Sequence, residues 1–242
     1  MTMLNGSSGL SANAHNIARV IAATLAVLLA AQCVWLLLPE LTRPHIDQLP
    51  LDNVSAANAA NYGAAAERAA SLGVIRGDLW AQSAFTHANL LWTDDDTDTN
   101  SSTMQAVGYT RTRLDRALTN GPHQSGAWLF LADLALHFHL GLDPSEPLKM
   151  SYYTGPSDQR LVPLRLRIGA QMAKFDDIEI RQFVGRDLRL FLTRKQIAEI
   201  ADAYGVASPA AKSFIEQTVQ DIDPTALEKI RAATQRKQNM PE

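Results

Sequence analysis

The chain opens on an apolar run. From Val20 to Leu38 it reads VIAATLAVLLAAQCVWLLL, with Thr24 and Gln32 as its polar residues and no charge. Nineteen residues at a helical rise of about 1.5 Å nearly match a hydrocarbon core of roughly 30 Å. The pattern predicts a transmembrane helix over Ile17–Leu38. Trp35 suits the far interface, Arg19 can snorkel at the near one, and Pro39-Glu40 is expected to stop the helix. A cleaved signal has a shorter apolar core followed by small residues. Here the run continues through Val34-Trp35-Leu36-Leu37-Leu38, and Gln32 precedes Cys33 where a lipoprotein needs a small residue. The run therefore reads as an uncleaved anchor.

After the anchor the pattern becomes helical throughout. Residues 1–16 form a short tail and 39–54 a linker without periodicity; residues 55–242 read as one all-helical soluble domain. Ser55–Leu72 is an Ala-rich helix ended by Gly73, and Asp78 is expected to cap the next, through Trp92. The polar stretch 93–103 reads as a loop. Further helices are expected over Met104–Leu118, the segment after Ser125 up to Gly141, Glu146–Tyr153, Gln159–Ala173, Ile178–Leu192, Lys195–Tyr204, Pro209–Ile222 and Thr225–Thr234. No segment alternates in the manner of a strand. Helices separated by short Gly/Pro turns predict stacked helical hairpins.

Spacing within residues 78–190 carries a further signal. Trp128 is followed by Leu131, Ala132 and Ala135, and Pro122 lies six residues before it. Leu114 and Ala117 precede Pro122, while Leu148 and Ser151 precede Pro156 at matching offsets; Trp80 with Ala84 opens an earlier candidate. This pattern resembles a degenerate tetratricopeptide repeat. The resemblance implies helical hairpins whose small residues allow close packing, stacked into a partner-binding surface. It departs from the family at Pro144, which stands where a small helical residue is expected, and at the acidic insertion after Trp92.

Charge narrows the function. All 25 Asp and Glu, and 21 of the 22 Lys and Arg, follow residue 39, leaving the soluble part at −4. A mildly acidic domain is a poor phosphate binder, so no nucleic-acid partner is expected. Lys195–Thr218 has a superficial helix-turn-helix look, but its second helix offers only Lys212 for bases. Cys33, the one cysteine, lies in the apolar run, which removes thiolate chemistry from the domain. Basic residues on the two sides of the anchor are nearly balanced, with His15 and Arg19 facing Arg43 and His45. The preferred orientation puts the short tail in the cytoplasm and the domain in a bacterial periplasm, with the anchor in the inner membrane.

Candidate chemistry is sparse. Asp94, Asp96, Asp98 and Asn100 alternate like calcium ligands, but Thr99 and Gln105 stand where an EF-hand requires Gly and Glu. Asp133, His137 and His139 lack a compact metal set, and no cofactor or catalytic motif is found. Asp176-Asp177 reads as a helix start. The densest unusual segment is LKMSYYTGPSDQRLVPLRLRIG, where Tyr152, Tyr153, Arg160, Arg165 and Arg167 could line a groove for an acidic peptide or an anionic glycan. The alternative is an inter-hairpin turn packed by tyrosines. The sequence thus predicts a membrane-tethered, non-enzymatic scaffold for a protein or peptide partner, by analogy within bacterial envelope or polysaccharide-export machinery. The competing reading is an accessory envelope enzyme or glycan-binding protein.

Overall fold

The computed structural model describes residues 8–44, 46, 48–92, 101–138, 140–172 and 175–239. Among them the chain is all-helical and contains no strand. The described helices are α1 (Ser8–Thr42), α2 (Asn53–Ala60), α3 (Gly63–Leu72), α4 (Gly77–Phe85), α5 (Ser101–Asn120), α6 (Ser125–His137), α7 (Ser145–Thr154), α8 (Val162–Gln171), α9 (Ile178–Thr193), α10 (Ile197–Val206), α11 (Pro209–Ile222) and α12 (Pro224–Gln238). Ala88–Trp92 forms a short 3-10 turn. The calcium-like spacing at residues 94–100 and His139 lie outside the described residues.

The stretch His15–Thr42 within α1 is long and apolar enough to cross a membrane. Its most apolar window has a mean hydropathy of 2.4, and none of that window is buried. Pro39 was expected to end this helix but lies inside it. It forgoes the bond to the Trp35 carbonyl, but only three residues of the helix follow it, so little structure is disturbed, and it is buried. The Ala-rich helix expected over Ser55–Leu72 is two helices, broken at Asn61-Tyr62. The Asn61 N–H bonds back to Asn58 and Ala59, closing α2 before Gly63 starts α3.

The segment expected to be a linker is fastened to the domain. Pro44, Ile46, Leu49 and Pro50 are buried, and Asp52 then caps α2 by accepting from the Ser55 N–H at 2.8 Å. Charge reinforces the junction. Arg76 hydrogen-bonds Glu40 at the end of α1 and Asp78 at 2.5 Å, and Arg43 lies 3.5 Å from Asp78. Asp78, expected to cap α4, serves this cluster instead. Burial pushes its carboxyl up, but the hydrogen bond from Arg76 and the charges of Arg76 and Arg43 outweigh that and hold it below its ordinary value. A carboxyl lowered in the folded state contributes stability at neutral pH that is lost as pH falls through its folded value. Arg76→Ala should therefore cost about 0.5–1 kcal/mol near neutral pH, the size of a good exposed pair. Denaturant unfolding of both proteins at stepped pH should show that difference vanish below the carboxylate range.

The middle of the domain is built from hairpins. Helix α4 packs on α5, α6 on α7, and α8 on α9. The small and apolar positions singled out from spacing lie inside them: Ala84, Leu114, Ala117, Ala132, Leu148 and Ser151 are all buried. Each opening helix repeats one device at its fourth residue. Trp80 Nε1 donates to the Val74 carbonyl at 3.0 Å, and Trp128 Nε1 to the Pro122 carbonyl at 2.7 Å. In α8 the place is taken by Arg165, whose Nη1 donates to the Gly155 carbonyl at 3.0 Å. A side-chain N–H thus fixes each inter-hairpin turn on the helix that follows it. Beyond the hairpins, α10 packs on α8 and α12, and α11 on α9 and α12. Their starts follow local rules: Asp177 caps α9, Ser208 caps α11 before Pro209, and Asp223 caps α12 before Pro224.

Candidate functional site

The five residues expected to form one surface divide between the interior and two separate exposed sites. Tyr152 and Arg165 are buried. Arg165 donates from Nε to Ser151 Oγ at 3.0 Å and from Nη2 to the Ser151 carbonyl at 2.5 Å, besides its bond to Gly155. Ser151 Oγ in turn donates to the Ser125 carbonyl at 2.9 Å, tying α7 to the start of α6. The Tyr152 hydroxyl donates to Asp187 Oδ2 at 2.6 Å, and its ring stacks on Phe183 with centroids 4.3 Å apart. The Arg165 guanidinium lies 4.9 Å from that ring centre.

Burial dominates the electrostatics of this knot. It raises the Asp187 carboxyl, against the Tyr152 hydrogen bond and the charges of Arg186 and Arg165. It pushes the Tyr152 phenol well up, reinforced by Asp187. It lowers Arg165, opposed by Tyr152 and Asp187. These side chains saturate one another and hold the α6–α7 and α8–α9 hairpins in register, so a surface role for Tyr152 and Arg165 is corrected to an internal one. Tyr153 is exposed, its hydroxyl donating to Glu179 at 2.5 Å and its ring meeting the edge of Phe183. Lys149 beside it bridges Glu146 and Asp177, each at 2.9 Å.

The remaining two residues, Arg160 and Arg167, meet in a different place. Both line a groove of about 640 Å³ between α8, α10 and α12. Its apolar lining includes Leu164, Ala201 and Val206. Ala201 and Gly205, one turn apart on α10, let α12 pack closely: a Cβ on Gly205 would lie 3.3 Å from Thr234 Cγ2. The Thr234 hydroxyl donates to the Ala201 carbonyl at 3.1 Å and holds α12 against α10. Two opposed pairs stand at the groove: Lys237 Nζ lies 2.6 Å from Asp202, and Arg160 Nη2 lies 3.0 Å from Asp158. A second hollow of about 610 Å³ lies between residues 46–52 and α2, and Leu51 and Arg160 border both.

Sequence reasoning reached Arg160 and Arg167 through a basic stretch but missed the groove, whose walls come from helices far apart in the chain. Nothing in the local sequence of α10, where Glu199 and Asp202 stand among apolar residues, marks it as a groove wall. Elsewhere, His137 Nδ1 lies 3.0 Å from the Asp133 carbonyl and 3.4 Å from its carboxylate. Among the described residues no three His, Cys, Asp or Glu are grouped to hold a metal ion. No protein-family model matches the chain, and no curated protein or solved structure matches it either.

Proposed function

We propose that this chain is a single-pass membrane scaffold whose α8–α10–α12 groove receives a segment of a partner protein. One observation carries the reading: an open groove with apolar walls and paired charges at its border, on a domain fastened to a helix able to span a bilayer. Such a surface suits a peptide carrying both apolar anchors and charges, since apolar contact supplies affinity and polar groups fix register. Tethering raises the effective concentration of the groove for membrane-bound partners.

The three hairpins, each opened by the same side-chain-to-turn hydrogen bond, favour a degenerate tetratricopeptide-like array as the frame. The orientation is taken as tail inside and domain outside the cytoplasm, with the anchor in an inner membrane and the partner in envelope or polysaccharide-export machinery. A C-terminal reporter active only in the cytoplasm would reverse that orientation.

The groove is tested with bulk. Val206 is partly exposed at its wall, so Val206→Trp should fill the groove and leave the fold intact. Capture of membrane proteins by the detergent-solubilised full chain should fall about tenfold for a groove-bound partner, the loss of one strong anchor. Thermal unfolding should not change. Unaltered capture, or an equal loss from Ile178→Trp on exposed α9 surface, would sink the groove as the binding site.

A further inference from the structure

We infer that the α3–α4 turn is a second membrane contact, with Val74 and Ile75 inserted into the lipid interface beside the anchor. The inference rests on the reading of α1 as a bilayer span. Val74 is 57% and Ile75 68% exposed, on a turn of only four residues between two helices of the domain. Their exposure does not come from a loose turn. The Val74 carbonyl accepts from Trp80 Nε1, the Arg76 N–H donates to the Gly73 carbonyl at 2.6 Å, and Arg76 is held by Asp78. A rigid turn that presents two branched apolar side chains outward places them on a surface.

The anchor identifies that surface. Arg76, next in sequence to Ile75, hydrogen-bonds Glu40, which follows the last leucine of the apolar run by two residues, about 3 Å along a helix. Val74 and Ile75 are therefore within one arginine's reach of the level where α1 leaves the hydrocarbon. Leu41, 81% exposed on the last turn of α1, adds a third apolar side chain at that level. The anchor itself marks where the domain meets it. Trp35 at 45% and Leu38 at 41% are the least exposed large apolar residues of the run, and α3 is the helix that packs on α1. The domain thus meets α1 at the membrane boundary, and the α3–α4 turn continues that junction. Apolar side chains at such a boundary settle roughly 5–10 Å into the headgroup and acyl border. Arg43 and Arg76 flank them at headgroup level, balanced by Glu40 and Asp78, so the contact is an apolar one. Two attachment points, the span and the turn, would fix the tilt of the domain and so the direction in which its groove faces.

Depth-dependent quenching in the full-length protein tests this. In a Cys33→Ala background, an environment-sensitive fluorophore is placed singly on Leu28→Cys within the span, on Ile75→Cys, or on Gln220→Cys of α11, which packs on the far helices α9 and α12. Each protein is reconstituted into phosphatidylcholine and phosphatidylglycerol vesicles containing lipid spin-labelled either near the top or near the end of the acyl chain. The expected result is strong fluorescence loss at position 28 from the deep label and at 75 from the shallow one, and little at 220 from either. Quenching at 28 but not at 75 overturns the second contact and leaves the anchor standing. Quenching at neither shows that the span reading has failed, and the inference falls with it.

Discussion

Arg165→Ala should destabilise the domain by about 3–5 kcal/mol, the usual cost of deleting one member of a buried charged network. Measured by denaturant unfolding, that is a large share of the roughly 5–15 kcal/mol available to a domain. Two sources of loss combine. The guanidinium fills space between α7, α8 and the turn at Gly155, and its removal opens a cavity. It also donates to Ser151 Oγ and to the carbonyls of Ser151 and Gly155; without it the hydroxyl loses its donor and the two carbonyls keep only the longer bonds from the Gly155 and Asp158 N–H groups. Arg165→Met separates the two, since methionine restores much of the volume and none of the donors; its loss should fall between wild type and alanine. The pH dependence is distinctive. The Asp187 carboxyl is raised in the folded state by burial, with Arg165 among the charges opposing the rise. Between the ordinary carboxylate value and the raised one, the native state holds a proton that the unfolded chain has released, so stability falls as pH rises through that window. Deleting Arg165 raises Asp187 further and widens the window. The deficit of Arg165→Ala should be greater near neutral pH than well below the ordinary carboxylate value, where the carboxyl is neutral in the folded and the unfolded chain. A deficit independent of pH would mean that Asp187 does not feel the guanidinium.

The fate of the aromatic and arginine cluster shows what a linear reading can reach. Helix boundaries set by local chemistry were legible: α11 runs from Pro209 to Ile222 as expected because Ser208 and Pro209 specify its start without outside help. The hairpin interiors were legible for the same reason, since small residues at fixed offsets read directly from spacing. Orientation about a helix axis was only half legible. Tyr152 and Tyr153 are adjacent, about 100° apart around the axis, so both cannot face the core; Arg165 and Arg167, two apart, stand about 200° from each other. Periodicity therefore required the five residues to divide. Which member turned inward depended on Asp187 and Phe183, on α9, and on Ser125, before them in the chain. The α2–α3 break was hidden by alanine's strong helix propensity, which masks a stop at Asn61 and Tyr62. The groove was the least legible feature, because its walls are brought together only when α8, α10 and α12 pack.

Gly77→Ala should destabilise the domain by about 2–3 kcal/mol, at the upper end of overpacking costs, although helix propensity alone argues the opposite. Alanine in a helix is favoured over glycine by about 1 kcal/mol, and Gly77 opens α4. Sterics outweigh this gain. A Cβ built on Gly77 would lie 2.5 Å from the Ala117 carbonyl oxygen, 2.7 Å from the Gly121 nitrogen and 3.0 Å from the Asn120 carbonyl carbon. All three are backbone atoms at the end of α5, so no rotamer change can relieve the contact and α4 must move away from α5. The displacement would loosen Trp80, which follows on the same helix and carries the hydrogen bond to Val74, and Arg76, which precedes it and bonds Glu40. The effect thus extends from a hairpin seam to the junction with the membrane helix. Gly108 supplies the internal control. It lies on exposed α5 surface, and a Cβ there meets nothing within 4 Å. Gly108→Ala should stabilise by about 0.5–1 kcal/mol through propensity and reduced freedom of the unfolded chain. Thermal unfolding of the two variants in parallel decides the matter: shifts of opposite sign support backbone contact as the reason for glycine at 77, and a gain at both positions would show that α4 and α5 are not so closely apposed.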